Sequence, residues 1–233
     1  MNKINYQKKL DEVITQLGNE NRRKVLVLHG CCAPCSSYCL EYLGQYFDIK
    51  LLYYNPNISS QEEYDKRLAE VHRFVDEFLS YVNSNEQFKT EISSDDECTD
   101  LSYVNYNIEV IDAKYIPSEF YEAVRGYENC EEGSERCHIC YELRMREAAL
   151  YAKQIGADYF TTTLSISPLK NSSVINEIGQ RLATELGIEH LPSDFKKKEG
   201  YKRSIELSKE YNLYRQNYCG CAFSKRSAEK ENI

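Results

Sequence analysis

Three thiols fall within five residues in Gly30-Cys31-Cys32-Ala33-Pro34-Cys35, directly behind the apolar run Val25-Leu26-Val27-Leu28. A short apolar run bounded by turn residues is the pattern of a buried strand. Loop thiols at the end of such a strand give up packing for chemistry. In an open α/β sheet the loop beyond a strand's carboxyl end is where ligands bind. The stretch therefore predicts a strand, a sheet and a binding site together.

The rest of the chain supplies partners for that strand. Leu10, Val13, Ile14 and Leu17 recur at helical spacing between Tyr6 and Leu17. A helix is predicted over Ser36 to Tyr46, and a second strand over Ile49 to Tyr54, closed by Asn55-Pro56-Asn57. Ser60 to Phe78 reads as a long helix, with Glu63 placed to complete a capping box with Ser60. A β-α-β-α order calls for a mostly parallel sheet with helices on both faces. The pattern breaks between Asn83 and Asn107, where Ser93-Ser94-Asp95-Asp96-Glu97 is acidic and aperiodic. This is expected to be a surface insertion, around 83–107, that carries Cys98. Strands resume at Ile108 to Asp112 and Asp158 to Thr162. Further helices are expected over Ser118 to Val124, Cys137 to Gln154, Ser172 to Leu186 and Lys202 to Tyr211. The expectation is one α/β domain over 1–233 with a C-terminal, helical, cysteine-bearing segment.

No run of 18 apolar residues occurs, and the N-terminal residues lack a signal-peptide core, so a cytoplasmic protein without a membrane span is expected. In that compartment, ten cysteines in a chain of 233 residues point to metal or redox chemistry rather than disulfides.

The thiols are clustered. After Cys31, Cys32 and Cys35 comes Cys137-His138-Ile139-Cys140, a C-x-x-C at a predicted helix start, and then Cys219-Gly220-Cys221 behind the last helix. Cys137 and Cys140 lie one turn apart, and a helix N-terminus favours thiolates. An extended Cys219-Gly220-Cys221 places both thiols on one face, with Gly220 leaving room for a ligand. Cys39 and Cys98 are read instead as small hydrophobes. A structural zinc site or an iron–sulfur cluster takes four thiolates, so seven leave three for a second metal or a redox pair. Spacing leaves zinc and iron both open.

Charge is uneven. Residues 1–193 hold 19 Lys+Arg against 31 Asp+Glu, whereas residues 194–230 hold 10 against 5. The overall net charge of −8 excludes broad nonspecific nucleic-acid binding, but the basic segment ends at Cys219 and Cys221. Lys170 and Asn171 follow a turn that leads into a helix, where backbone N–H groups can bind a phosphate.

These residues resemble the QueH-type epoxyqueuosine reductases over nearly the whole chain except the acidic excursion. The motifs are His29 to Cys35; Tyr54-Asn55-Pro56-Asn57-Ile58 with Glu63, Tyr64 and Arg67; and Glu132-Gly133. They continue with Arg136-Cys137-His138-Ile139-Cys140 and Arg144, Thr162 to Asn171, Asp194-Phe195-Lys196-Lys197, and Leu213 to Ser224. The resemblance implies a Rossmann-like or HUP-like α/β fold. It implies reduction of the epoxide of epoxyqueuosine in tRNA to queuosine, the last step of queuosine formation, without cobalamin. It also implies a [4Fe–4S] cluster beside a mononuclear iron, divided among Cys31, Cys32, Cys35, Cys137, Cys140, Cys219 and Cys221. Some members carry Asp in place of Cys35, which suits a ligand of the single iron, and Cys31 and Cys32 are then expected to serve one metal each. Tyr54, His29, Asp194 and Tyr214 are the candidate proton donors, and Cys35, Tyr54 and Asp194 the candidate catalytic residues. Lys170, Lys196, Lys197, Arg203 and Arg215 are the candidate tRNA contacts, with Lys198 and Lys202 in the same basic segment and Tyr201, Tyr214 and Tyr218 available for stacking. The electrons are expected from an external ferredoxin- or flavodoxin-like donor.

Two other readings compete. One is a zinc–thiolate nucleic-acid-binding protein without redox activity. The other is an ATP-dependent sulfur-transfer enzyme, which wants a Ser-Gly-Gly-x-Asp-Ser loop where this chain has Gly30 to Cys35.

Overall fold

Residues 4–17, 22–84, 89–91, 101–103 and 105–225 are described by a computed structural model. In chain order its elements are α1 (Tyr6–Leu17), β1 (Lys24–His29), α2 (Ala33–Leu43), β2 (Phe47–Tyr53), α3 (Gln61–Ser84), β3 (Lys89–Glu91), β4 (Leu101–Tyr103) and β5 (Ile108–Asp112). They continue with α4 (Pro117–Ala123), α5 (Glu135–Ile155), β6 (Tyr159–Thr162), a 3-10 turn (Thr163–Ile166), α6 (Ser172–Leu186), β7 (Glu189–His190) and α7 (Gly200–Glu210).

Alternation along β1 sets the layers. Leu26 and Leu28 enter an apolar cluster with residues of α1, α2, α3 and α7. Val27 enters a second cluster with α5 and α6, where Tyr141, Met145, Ala148 and Leu182 pack. Helices thus cover both faces of a sheet of order β5-β2-β1-β6-β7, and all of its pairings are parallel. This is the α/β architecture expected from the order of strands and helices.

Topology makes the crevice. From β1 the chain moves outward through β2 to β5, then returns to place β6 on the other side of β1. The order therefore reverses between β1 and β6, the position at which open sheets bind ligands. Register brings His29 opposite Thr162, so the loops that leave β1 and β6 emerge side by side. One carries Cys31 and Cys32, the other Thr163 to Lys170.

Some boundaries differ from the sequence expectations in ways that matter for the site. Helix α2 starts at Ala33 rather than Ser36, with Pro34 in its first turn, where a missing N–H costs nothing. Cys32 is consequently its N-cap residue and Cys35 lies in the first turn. Helix α5 starts at Glu135, two residues ahead of Cys137. The two-residue β7 and the 3-10 turn are too short to leave a periodic signal. Within the acidic stretch, β3 and β4 pair antiparallel, and Cys98 lies outside the described residues. No helix among the described residues is long and apolar enough to cross a membrane.

Candidate metal centre

The Sγ atoms of Cys31, Cys32 and Cys35 all lie within 4.8 Å of one another, with Cys31 and Cys32 3.9 Å apart. Metal–thiolate bonds of about 2.3 Å in tetrahedral geometry put neighbouring sulfurs about 3.8 Å apart, so this group is sized to hold a metal ion. The two adjacent thiols face different surroundings. Cys31 accepts from the Thr163 hydroxyl at 3.5 Å and packs toward the α5 face, with Cys137 against the same apolar cluster. Cys32, nearly inaccessible, lies on the side of Tyr53 and the Arg67 guanidinium.

The C-terminal pair is equally close, with Cys219 and Cys221 sulfurs 3.6 Å apart. Gly220 between them has φ of +111°, and a Cβ there would sit 3.0 Å from Ile58 and 3.1 Å from an Arg67 nitrogen. Only glycine allows that turn to press against α3 and the Asn55–Ile58 loop. Ser224 closes the turn, its hydroxyl 3.1 Å from the Cys219 sulfur and its N–H donating to the Cys221 sulfur at 3.3 Å. Cys219, Cys221 and Cys140 pack together around Phe120 and Val124. The Cys137 sulfur accepts the Gly133 N–H at 3.2 Å. None of the nine described cysteines forms a disulfide.

A cavity of about 520 Å3 joins these parts. Cys31, Cys32, Cys35 and Cys219 line it, together with Arg144 and Lys170. In each of these two thiol groups one member is shifted toward the thiolate. The Cys32 and Cys35 thiols, then Lys170 and Thr163, hold Cys31 well below the ordinary thiol value. Its neighbour Cys32 is pushed up to about 12, with Cys31 the largest cause. Contact with Cys221, then Lys170 and Ser224, likewise lowers Cys219. Burial works against the Lys170 ammonium, but Cys219, Cys31 and Cys35 outweigh it and raise its pKa.

The remaining candidates are spread more widely. His29 is fully buried, its Nε2 3.1 Å from the Tyr54 carbonyl and its Nδ1 2.8 Å from the Thr162 hydroxyl. The carbonyl requires the proton on Nε2, so Nδ1 accepts. Burial, then the nearby Arg144, lowers its pKa to about 3, which keeps the ring neutral. The Tyr54 hydroxyl donates to Glu119 on α4. Tyr214 is hydrogen-bonded to Glu63 at 3.3 Å under the Lys66 ammonium. Asp194 and Lys197 line a neighbouring cavity of about 570 Å3 at the start of α6, which shares Lys170 with the thiol cavity. Asp194 pairs with Lys196 at 3.0 Å, and Lys196 turns inward to the Ser165 and Lys170 carbonyls. Arg203 is held by Glu41, Glu206 and Glu210, whereas the exposed Arg215 lines the thiol cavity beside Tyr201 and Tyr218.

Sequence reasoning passed over Cys130, seven residues ahead of Cys137. It is half-buried in the loop before α5, and its carbonyl accepts from Arg136. No spacing signal marks it, because the group it offers Arg136 is its own backbone oxygen. Arg144 carried no role either, and Thr163 and Glu119 give no sign in the sequence of the thiol and the phenol they meet.

Comparison with known proteins adds the family. The family model described as "Epoxyqueuosine reductase QueH" matches residues 26–80 and 75–227. Proteins named epoxyqueuosine reductase QueH are similar throughout. That of Streptococcus pyogenes serotype M1 is 38% identical over 96% of this chain and 79% of its own. That of Staphylococcus epidermidis is 39% identical over 95% and 85%. That of Thermotoga maritima is 32% identical over 85% and 89%. With the thiol motifs of all three segments inside the matched range, this chain belongs to the QueH family of epoxyqueuosine reductases, a family of oxidoreductases.

Proposed function

We propose that the protein reduces the epoxide of epoxyqueuosine, carried in tRNA, to the alkene of queuosine, using a [4Fe–4S] cluster and an adjacent single iron held by its clustered thiols. One observation carries the reading. Thiols of the β1 loop and of the C-terminal turn line one cavity at the crevice where the sheet order reverses, and on α5 Cys140 packs with Cys219 and Cys221 while Cys137 packs against the apolar cluster that Cys31 joins. The donor set fits the group. Seven soft thiolates from distant segments suit a four-thiolate cluster and a second metal, and the sulfur spacings within Cys31, Cys32 and Cys35 and within the Cys219–Cys221 pair match metal–thiolate geometry.

Removal of the epoxide oxygen as water takes two electrons and two protons. The bound metals supply one-electron transfers and a Lewis acid for the epoxide oxygen. The chain supplies the rest. Cys31 faces the α5 side and is assigned to the cluster, which takes its other three thiolates from among Cys137, Cys140, Cys219 and Cys221; Cys32 and Cys35 are assigned to the single iron. Lys170, which lines the cavity with Cys31, Cys35 and Cys219, keeps positive charge at the reacting end of the cavity. Tyr201 and Tyr218 offer faces on which a splayed tRNA base stacks, and Arg215 and Lys197 offer charge to the backbone. Electrons arrive in the cytoplasm from an external donor of the ferredoxin or flavodoxin kind.

Cys35→Ser tests the division of the thiols. Retention of sulfide with loss of one iron and of turnover on epoxyqueuosine-containing tRNA is expected. Loss of the whole cluster would contradict the assignment.

A further inference from the structure

Arg144 stands apart from the other arginines at the site. It is 2% exposed, yet among the described residues no carboxylate pairs with it. Its Nε donates to the Cys140 carbonyl and its Nη1 to Asn55 Oδ1, each at 3.3 Å. Both acceptors are neutral. The other cavity-lining arginines are served differently. Arg67 pairs with Glu63 at 2.7 Å, and the exposed Arg215 bonds to Ser208 and the Ser204 carbonyl.

A guanidinium cannot shed its proton to escape burial, so an internal Arg needs an anion. The ionisable groups that act most strongly on Arg144 are Cys140, Cys31, Cys219 and Tyr141, with the neutral His29 and the cationic Lys170 beyond them, and Glu132 lines the same cavity. One thiol comes from each of the three segments. Burial opposes the charge of Arg144, and these thiols offset that opposition. Asn55 fixes the orientation, because its amide nitrogen donates to the Gly30 carbonyl at 2.9 Å while its oxygen accepts from Arg144. The guanidinium is thereby tied to the backbone of the first thiol loop as well as to α5.

We infer that Arg144 is the fixed counter-charge of the thiolate-bound centre, a positioning residue that sets its reduction potential from the middle of the three thiol segments. The inference rests on the iron–sulfur reading above. Reduction adds an electron to an already anionic thiolate centre, so a buried cation beside it favours the reduced state. Removal of the charge makes reduction harder, while a lysine keeps it.

The test uses the full-length protein, Arg144→Gln and Arg144→Lys, purified anaerobically, with iron and sulfide counted and the midpoint potential read by redox titration. Arg144→Gln is expected to shift the midpoint to more negative values, and Arg144→Lys to restore most of the shift. Failure of Arg144→Gln to load iron while Arg144→Lys loads normally also supports the inference, because charge is then needed for assembly. A loaded Arg144→Gln protein with unchanged potential overturns it, as does equal failure of both variants to load. Absence of iron and sulfide from the unsubstituted protein overturns the iron–sulfur reading itself, and the role of Arg144 falls with it.

Discussion

Cys35 and Cys39 lie one turn apart on α2, yet only Cys35 meets other thiols. Cys39 is fully inaccessible, packs in the apolar core and donates to the Cys35 carbonyl at 3.4 Å. Cys39→Ala should therefore cost only about 1–2 kcal/mol in denaturant unfolding and leave the iron content unchanged. His190 is a second residue whose surroundings decide its behaviour. It is buried, with no hydrogen-bond partner for Nε2 among the described residues, and burial lowers its pKa to about 4, below the ordinary 6.5. Between those values the unfolded chain binds a proton that the folded chain refuses, so stability falls as the pH drops through this window. The site alone should remove about 2 kcal/mol between pH 7 and pH 5. Unfolding curves at both pH values check this, and a His190→Leu variant that kept the full acid sensitivity would contradict it. Single residues such as Cys31 and Cys219 were legible because clustering marks them. Arg144 was not, because what distinguishes it is the absence of a carboxylate in three dimensions.

Among elements, the Cys219-Gly220-Cys221 turn is the most exacting. Gly220→Ala places a Cβ in a left-handed conformation against Ile58 and Arg67. It should cost roughly 1–2 kcal/mol and lower iron loading, since both flanking thiols move with the backbone. Gly179→Ala on α6 is the contrasting case. Its Cβ would lie 2.3 Å from His190 Nε2, so about 1–3 kcal/mol of overpacking should appear in thermal unfolding with iron content retained. The central strands and long helices could be read from periodicity, since Val25 to Leu28 and the α3 pattern each match one period. The start of α2 could not, because Ala33-Pro34-Cys35 has no helical periodicity and Pro34 reads as a helix initiator only once the extended Cys32 is seen at the N-cap position. The switch point was also invisible locally. It depends on β6 joining β1 across about 130 residues of chain, a choice made by packing of α5 and α6 on the second face.

At the scale of the molecule, charge and topology converge on one end. The loops beyond β1 and β6, the start of α6 and the segment after α7 all border the two adjoining cavities. Lys197→Glu with Arg215→Glu should weaken tRNA binding severalfold and reduce the salt dependence of log K by about one for each phosphate no longer neutralised. Unchanged affinity over a salt series would exclude this end as the docking surface. Lys196 is a poorer probe, because it also holds the Ser165 and Lys170 carbonyls. The proposed function requires that the seven clustered thiols hold iron for epoxide reduction. Anaerobically purified protein, counted for iron and sulfide and then given reductant and epoxyqueuosine-containing tRNA, addresses it directly. A brown protein with about five irons and four sulfides per chain and conversion to queuosine are expected; a colourless zinc protein without sulfide, leaving the epoxide intact, would overturn the proposed function.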